Sequence, residues 1–102
     1  QQMTYEMIVG VHVTDDSLYT KYREAMTPLL IQHGGGFRYD FKISDVLKSE
    51  NDAPINRLFA IYFKDKEQKE KFFSNTAYLE IKSKLFVTSV DSTTRISEYA
   101  RD

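Results

Sequence analysis

The chain contains no cysteine and only two histidines among its 102 residues. The lack of cysteine excludes disulfide bonds, thiolate chemistry and cysteine-based zinc sites, although it does not define a cellular compartment. The two histidines stand far apart in sequence, with no His-x-x-x-His pattern to indicate a metal site. We therefore expect no metal and no cofactor, with a haem held by a single histidine as the one alternative left open.

The chain also lacks an excess of one charge and a long apolar run. Fourteen basic and fifteen acidic residues give a formal charge of −1, whereas nucleic-acid binding depends on a cationic surface. No apolar run approaches the roughly 20 residues that span a membrane. No secretory signal is visible, and the opening Gln1-Gln2-Met3 leaves either Met3 or a trimmed form as the start. We expect a cytoplasmic protein that binds neither nucleic acid nor membrane.

What the chain does have is four apolar stretches with alternating character. This alternation is typical of β-strands that are buried on one or both faces. In the first stretch the residues from Tyr5 to Val13 at odd positions share one face, and His12 lies on the other. The predicted strands are Tyr5–Val13, Phe37–Leu47, Arg57–Phe63 and Thr93–Tyr99.

A first helix is predicted between the first two strands. Its start is the acidic segment Thr14–Ser17, because carboxylates suit the positive end of a helix dipole. The glycine run that begins at Gly34 ends it, and Pro28 should bend it or divide it into two pieces. The apolar residues at helical spacing are Leu18, Tyr22, Ala25 and Leu29, with Met26, Leu30 and His33 beside them.

A second helical region is predicted between the last two strands. A capping box at Asp65 starts it, and Ser74–Thr76 interrupts it. It resumes over Ala77–Val90, and Asp91-Ser92 forms the turn into the fourth strand.

The resulting order, β-α-β-β-α-β, is typical of a ferredoxin-like α+β fold. At this length we expect a single domain over residues 1–102 with an antiparallel sheet. Two short helices cover only one face of such a sheet, although the first and third strands are apolar on both faces. We therefore expect a homodimer in which the uncovered sheet faces meet.

Several local features occur together: the aspartate-capped first helix, Tyr19 and Tyr22, Pro28 before His33-Gly34-Gly35, Phe59–Phe63 before Lys64-Asp65, and Phe72–Tyr78. The chain resembles domain-of-unknown-function family 1330, of the dimeric α/β-barrel superfamily, over Tyr5–Tyr99. It differs where Tyr62 replaces an acidic residue at the end of the third strand, and where Phe37–Asp40 replaces further glycines.

The resemblance implies a homodimer with a pocket in each subunit between the sheet and the helices. The wider superfamily includes cofactor-free monooxygenases of polyketide-like aromatics, muconolactone isomerases and haem-degrading enzymes, and many members have no assigned activity. Likeness of fold does not choose among these activities.

His12 is the predicted catalytic residue. It would line the pocket if the helices covered its face of the sheet, and an imidazole can accept a proton near neutral pH. The alternative is a sheet histidine whose ring nitrogens are satisfied by backbone groups. His33 is interpreted as a residue that closes the first helix.

Tyrosine hydroxyls are the predicted ligand-binding groups. In an apolar pocket they suit an aromatic ligand or an enolate-like oxygen, and the alternative is that they fill the core. Arg38 and Arg57 would orient a carboxylate if they faced inward, and otherwise they lie at sheet edges in solvent. The predicted ligand-binding residues are Tyr22, Tyr39, Tyr62, Tyr78 and Arg38.

Two functions remain after this reasoning. The first is a homodimer that binds a small molecule, with or without cofactor-independent oxidoreductase or isomerase activity on an aromatic or enolic ligand. The second is a non-catalytic structural or regulatory dimer. RNA-binding domains share the element order, but Leu58 and Ile61 stand where their third-strand motif expects a glycine and an aromatic residue.

Overall fold

A four-stranded antiparallel sheet forms one layer of the molecule, and the helices form the other. The computed structural model describes residues 3–102, so Gln1 and Gln2, ahead of the candidate start Met3, lie outside the described residues. The strand order β2-β3-β1-β4 is that of the predicted ferredoxin-like α+β fold. The strands are β1 (Thr4–Val13), β2 (Gly36–Lys42), β3 (Arg57–Phe63) and β4 (Val90–Arg101), and the helices are α1 (Asp16–Gln32), α2 (Lys66–Ser74), α3 (Thr76–Ile81) and a π-helical turn (Lys82–Phe86).

Alternation along β1 divides the sheet into two faces. Met7, Val9, Val11 and Val13 lie buried under the helices, which confirms that the odd-numbered positions share one face. The even-numbered positions point to the opposite face, which no helix in the described chain covers. This opposite face is termed the open face, and β1 contributes to it Glu6, Ile8, Gly10 and His12.

Helix starts follow the predicted caps. The Asp15 carboxylate accepts a hydrogen bond from the backbone N–H of Leu18 at 3.0 Å, and Asp65 accepts one from Gln68 at 2.8 Å. α1 continues through Pro28 as a single helix. The alternative in which Pro28 divides the helix into two pieces is therefore wrong.

The buried side of α1 overlaps the predicted one: Tyr22 and its predicted neighbours Met26 and Leu30 are buried, whereas Leu18, Ala25 and Leu29 are only half-buried. Both sets satisfy helical spacing, but the observed set places two tyrosine rings and two long apolar side chains against the sheet. The buried residues are Tyr19, Tyr22, Met26 and Leu30.

The glycine run ends α1 as predicted. Gly34 has a φ of +69°, which is the left-handed conformation of a helix C-terminus. The N–H of Gly35 donates to the carbonyl of Leu30 at 3.0 Å, and a Cβ on Gly35 would lie 2.3 Å from the Tyr62 carbonyl oxygen. Glycine is therefore required here for a turn and a close backbone approach.

Two strand ends differ from prediction by three residues or more, because each strand extends only where it has a partner. β2 ends at Lys42 and not at Leu47, since its neighbour β3 begins at Arg57. β4 begins at Val90 and not at Thr93, since the end of β1 is long enough to pair with it.

The second helical region is more broken than predicted. The expected interruption occurs at Asn75, whose side chain caps α3. A helix over Ala77–Val90 is wrong, because α3 passes into the π-helical turn Lys82–Phe86 and the chain then reverses. The turn predicted at Asp91-Ser92 is also wrong, because Ser92 lies in β4 and pairs with His12.

The loop 43–56 packs over one end of the open face. The Asn56 side chain holds it there, since it accepts from the N–H of Val13 at 2.7 Å and donates to the carbonyl of the same residue at 2.9 Å. Ile55 lies above Gly10, where a Cβ would meet the Ile55 side chain at 2.9 Å. Gly10 therefore makes room for this loop.

No helix among residues 3–102 is both long enough and apolar enough to cross a membrane.

Candidate functional site

A cavity of about 350 Å³ lies between the helix-covered face of the sheet and the helices. Its size falls in the range of pockets that hold small molecules. The walls are mostly apolar and aromatic, which suits a ligand of the same character. The apolar and aromatic lining residues are Met7, Val9, Val11, Tyr19, Tyr22, Met26, Phe37, Phe59, Ile61, Phe73, Tyr78 and Phe86.

Two tyrosine hydroxyls meet in the wall of this cavity. The Tyr22 and Tyr78 oxygens lie 2.8 Å apart, and both residues are buried. Burial raises the pKa of each phenol above its ordinary value, so both are neutral near pH 7. One hydroxyl donates to the other, and the accepting hydroxyl keeps its own hydrogen to donate to a ligand.

A charged cluster borders the cavity near α1 and β2. The guanidinium of Arg23 lies 3.0 Å from Asp40, and that of Arg57 lies 2.9 Å from the same carboxylate. Burial opposes ionisation of Asp40, but hydrogen bonds from the two arginines outweigh it and lower the pKa of the carboxyl. The Arg23 guanidinium also stacks on Phe37 at 4.0 Å from the ring centre and donates to the Tyr19 hydroxyl at 3.0 Å.

A second charged cluster borders the cavity near β4. The Glu98 carboxylate lies 3.3 Å from the Lys69 ammonium and 3.3 Å from the Arg95 guanidinium, and it accepts a hydrogen bond from Tyr5. The hydrogen bond from Tyr5, together with Lys69, lowers the pKa of this carboxyl. Lys82 also lines the cavity, and it makes no ion pair within the described residues.

The family described as "Domain of unknown function (DUF1330)" matches residues 5–100, which is nearly the whole chain. The chain belongs to this family. The resemblance drawn from the sequence is therefore confirmed. No curated protein sequence matches the chain.

Solved structures share the fold of this DUF1330 protein at low sequence identity. A protein of unknown function from Rhodopseudomonas palustris superposes with a TM-score of 0.77 at 14% identity, covering 97% of this chain and 82% of that one. A dabb family protein with a ferredoxin-like fold from Mesorhizobium loti gives 0.67 at 12% identity, covering 96% of each chain. A dimeric protein of unknown function and ferredoxin-like fold from Bacteroides fragilis gives 0.60 at 14% identity, covering 97% of this chain and 96% of that one.

His12 of this DUF1330 protein lies outside the cavity. Its Nδ1 atom is 2.8 Å from an Asp91 carboxylate oxygen on the open face. The prediction that His12 lines the pocket is wrong, because its neighbours Val11 and Val13 occupy the face that the helices cover. His33 lies where predicted, at the end of α1, with its Nδ1 atom 2.8 Å from the Leu29 carbonyl oxygen.

The structure separates the five predicted ligand-binding residues. Tyr22 and Tyr78 line the cavity, whereas Tyr39, Tyr62 and Arg38 lie on the open face. The placement of these last three in the pocket is therefore wrong.

A register shift between Phe37 and Tyr39 explains part of this separation. Phe37 stands opposite the buried Ile61 on the helix side, but the shift leaves Tyr39 opposite Ala60 on the open face. Tyr39 is 57% exposed there, so its ring does not reach the cavity.

A buried carboxylate anchors the polar end of the open face. Glu6 is 3% exposed and accepts hydrogen bonds from the Tyr99 hydroxyl and the Arg101 guanidinium, and it pairs with Arg38 at 2.7 Å. Burial favours the protonated acid, but these hydrogen bonds prevail and lower the pKa of the Glu6 carboxyl. Arg38 also stacks on Tyr62 at 4.2 Å from the ring centre, which accounts for the position of both.

Four basic residues at the cavity were not singled out from the sequence. Arg23 was detectable, because it lies four residues after Tyr19 on the buried side of α1. Arg95 was not, because the register of β4 shifts between Arg95 and Ser97 and alternation does not carry across the shift. The four are Arg23, Lys69, Lys82 and Arg95.

Among residues 3–102, no group of three or more histidine, aspartate or glutamate side chains is arranged to hold a metal ion.

Proposed function

We propose that this protein is a homodimer that binds a small aromatic or enolic molecule in the cavity of each subunit. The observation that carries the proposal is the 350 Å³ space, whose apolar walls contain one pair of hydrogen-bonded hydroxyls. A ligand pocket of this kind combines apolar area for affinity with a few polar groups for orientation.

The tyrosine pair favours a ligand that offers an oxygen acceptor. Tyr22 and Tyr78 are neutral near pH 7, and the pair has one hydrogen to donate into the cavity. A carbonyl, phenol or enolate-like oxygen would accept that hydrogen while the body of the ligand contacts the aromatic walls.

Binding has more support than catalysis. The lining residues include no histidine, aspartate or glutamate, so the cavity offers no ordinary general base near neutral pH. An oxidoreductase or isomerase activity would depend on a substrate that loses its own proton readily, with the tyrosine hydroxyls stabilising the enolate oxygen.

The open face supports the homodimer. It carries apolar side chains that are exposed in the single chain, and large exposed apolar patches mark interaction surfaces. The related fold from Bacteroides fragilis is described as dimeric. The exposed apolar side chains of β2 and β4 are Tyr39, Phe41, Ile96 and Tyr99.

Sedimentation velocity at micromolar concentration tests the dimer. We expect the wild type to sediment as a dimer and Phe41→Glu, which places a charge on the open face, to sediment as a monomer. The matched control is Val87→Glu, because Val87 is also an exposed apolar residue but directly follows the π-helical turn and does not lie on the sheet. A monomeric wild type contradicts the dimer.

Binding of the neutral fluorophore N-phenyl-1-naphthylamine tests the cavity. We expect a saturable rise in fluorescence that is reduced in Thr93→Trp, because Thr93 is an exposed residue at the cavity edge and an indole there would narrow the opening. The control is Thr88→Trp, since Thr88 is exposed and does not line the cavity. A wild type that binds no fluorophore, or a binding that Thr93→Trp leaves unchanged, contradicts the proposed site.

A further inference from the structure

The charges around the cavity are unevenly distributed. Every charged residue that lines it is basic, and no carboxylate is among the lining residues. The chain as a whole carries a formal charge of −1, so this excess is local and not a property of the composition. A low-dielectric cavity with charge of one sign attracts ligands of the opposite sign.

The neighbouring carboxylates do not cancel this excess. Asp40 is shared by Arg23 and Arg57, and Glu98 is shared by Lys69 and Arg95. Each carboxylate therefore neutralises one of its two cations.

The remaining cation is Lys82 in the π-helical turn. It lines the cavity and has no ion-pair partner in the part of the chain that the structure describes. The cavity cations and their partners together amount to five positive and two negative charges, which leaves three positive charges uncompensated.

The position of these charges indicates which part of a ligand they would contact. Arg95 and Thr93 lie on the edge strand β4, and the Arg95 side chain is 65% exposed, so the cavity opens to solvent at this edge. Lys69 and Lys82 approach the same region from the helical layer. The deep walls formed by β1 and α1 are apolar apart from Arg23 and the hydroxyls of Tyr19 and Tyr22.

We infer that the ligand is an anion with an apolar body, of the class of aromatic or aliphatic carboxylic acids. Its apolar body lies against the deep walls, and its anionic group lies at the β4 edge between Lys82 and Arg95. The inference rests on the proposed function, because it assigns a charge to the molecule that the cavity binds.

The test compares two fluorophores that differ by one charged group. The anion 8-anilinonaphthalene-1-sulfonate and the neutral N-phenyl-1-naphthylamine share the same aromatic body. We expect the sulfonate to bind the wild type about tenfold more tightly than the neutral compound, and we expect this advantage to shrink as salt is added. Equal affinities, or an advantage that salt does not reduce, would overturn the inference.

Two variants locate the charge. We expect Lys82→Met and Arg95→Met each to reduce the ratio of sulfonate affinity to neutral-fluorophore affinity by roughly fivefold. The matched control is Lys84→Met, which removes the same charge two residues along the chain from an exposed side chain paired with Glu80. Equal losses in Lys84→Met and Lys82→Met would overturn the placement.

The two proposals fail in different ways. If the neutral fluorophore binds and the sulfonate gains nothing from its charge, the cavity stands as a binding site and the anionic ligand is rejected. If neither fluorophore binds saturably, the proposed function itself fails. Circular dichroism of each variant shows whether a loss of binding comes from a disrupted fold or from the removed charge.

Discussion

The hydroxyl oxygens of Tyr22 on α1 and Tyr78 on α3 lie 2.8 Å apart in a buried position, so each satisfies the other. Tyr22→Phe leaves the Tyr78 hydroxyl without this partner, and we expect the free energy of unfolding to fall by about 1–3 kcal/mol. Tyr78→Phe should do the same. The double variant should lose less than the sum, because it leaves no orphaned hydroxyl.

Urea unfolding of the four proteins, at one protein concentration, measures this coupling. Fixed concentration matters because the proposed dimerisation would contribute to the apparent stability. Strictly additive losses would show that the two hydroxyls do not depend on each other.

The Glu6 carboxylate should make stability depend on pH in acid. Its pKa in the folded protein is lowered from the ordinary value of 4.5. A depressed folded pKa contributes stability that is fully present above the unfolded value and is lost as pH falls through the folded one. We expect Glu6→Gln to lose roughly 1–3 kcal/mol at pH 7 and to approach the wild type below pH 4.

Unfolding at pH 7, 5 and 3 measures this convergence. Glu80→Gln is the matched control, because Glu80 is an exposed carboxylate paired only with Lys84 on its own helical segment. A constant difference between wild type and Glu6→Gln across this range would contradict the depressed pKa.

Gly34 should tolerate asparagine better than alanine. Its φ of +69° is unfavourable for residues with a Cβ, so we expect Gly34→Ala to lose about 1–2 kcal/mol. Asparagine adopts this conformation more readily. Both side chains place the same Cβ near Lys64, so the difference between them reports the backbone conformation alone. Equal melting temperatures for the two variants would show that contact with Lys64 dominates.

His12→Ala should leave ligand binding in the cavity unchanged. The imidazole pairs with Asp91 on the open face, and the sheet separates it from the lining residues. Stability should change by less than about 1 kcal/mol, because the pair is partly exposed. Titration with N-phenyl-1-naphthylamine measures binding. A weaker affinity in His12→Ala than in the wild type would show that His12 contributes to the binding site.

Much of the fold was readable from local chemistry. Asp15 and Asp65 begin helices and Gly34 ends one, because capping depends on residues adjacent in sequence. The alternation of β1 also fixed which residues share a face. The order of elements followed from these signals, and it was confirmed together with the family.

The residues of β1 alone do not indicate which face of the strand the helices cover. Ile8 is apolar and lies on the open face, so both faces of the strand resemble a core. The decision depends on which side of α1 carries the large rings, and Tyr19 and Tyr22 pack on the face of Val9 and Val11. This long-range information is not contained in the sequence of β1. His12 is therefore predicted on the pocket side, whereas the structure places it on the open face.

Register shifts are a second reason why the sequence does not predict which face every site residue lies on. Strict alternation places Phe37, Tyr39 and Phe41 on one face, but the shift after Phe37 moves the other two to the open face. The shift in β4 likewise obscured Arg95. A single sequence does not mark such irregularities, because they depend on the partner strand.

The Ile55 side chain lies above Gly10, so the open face is raised at this end and is not flat. In the proposed homodimer, the partner subunit would have to fit both this raised end, next to Phe41, and the lower half that holds Tyr62 and Glu6. The loop 43–56 of each subunit would then limit how far one subunit could slide along the other.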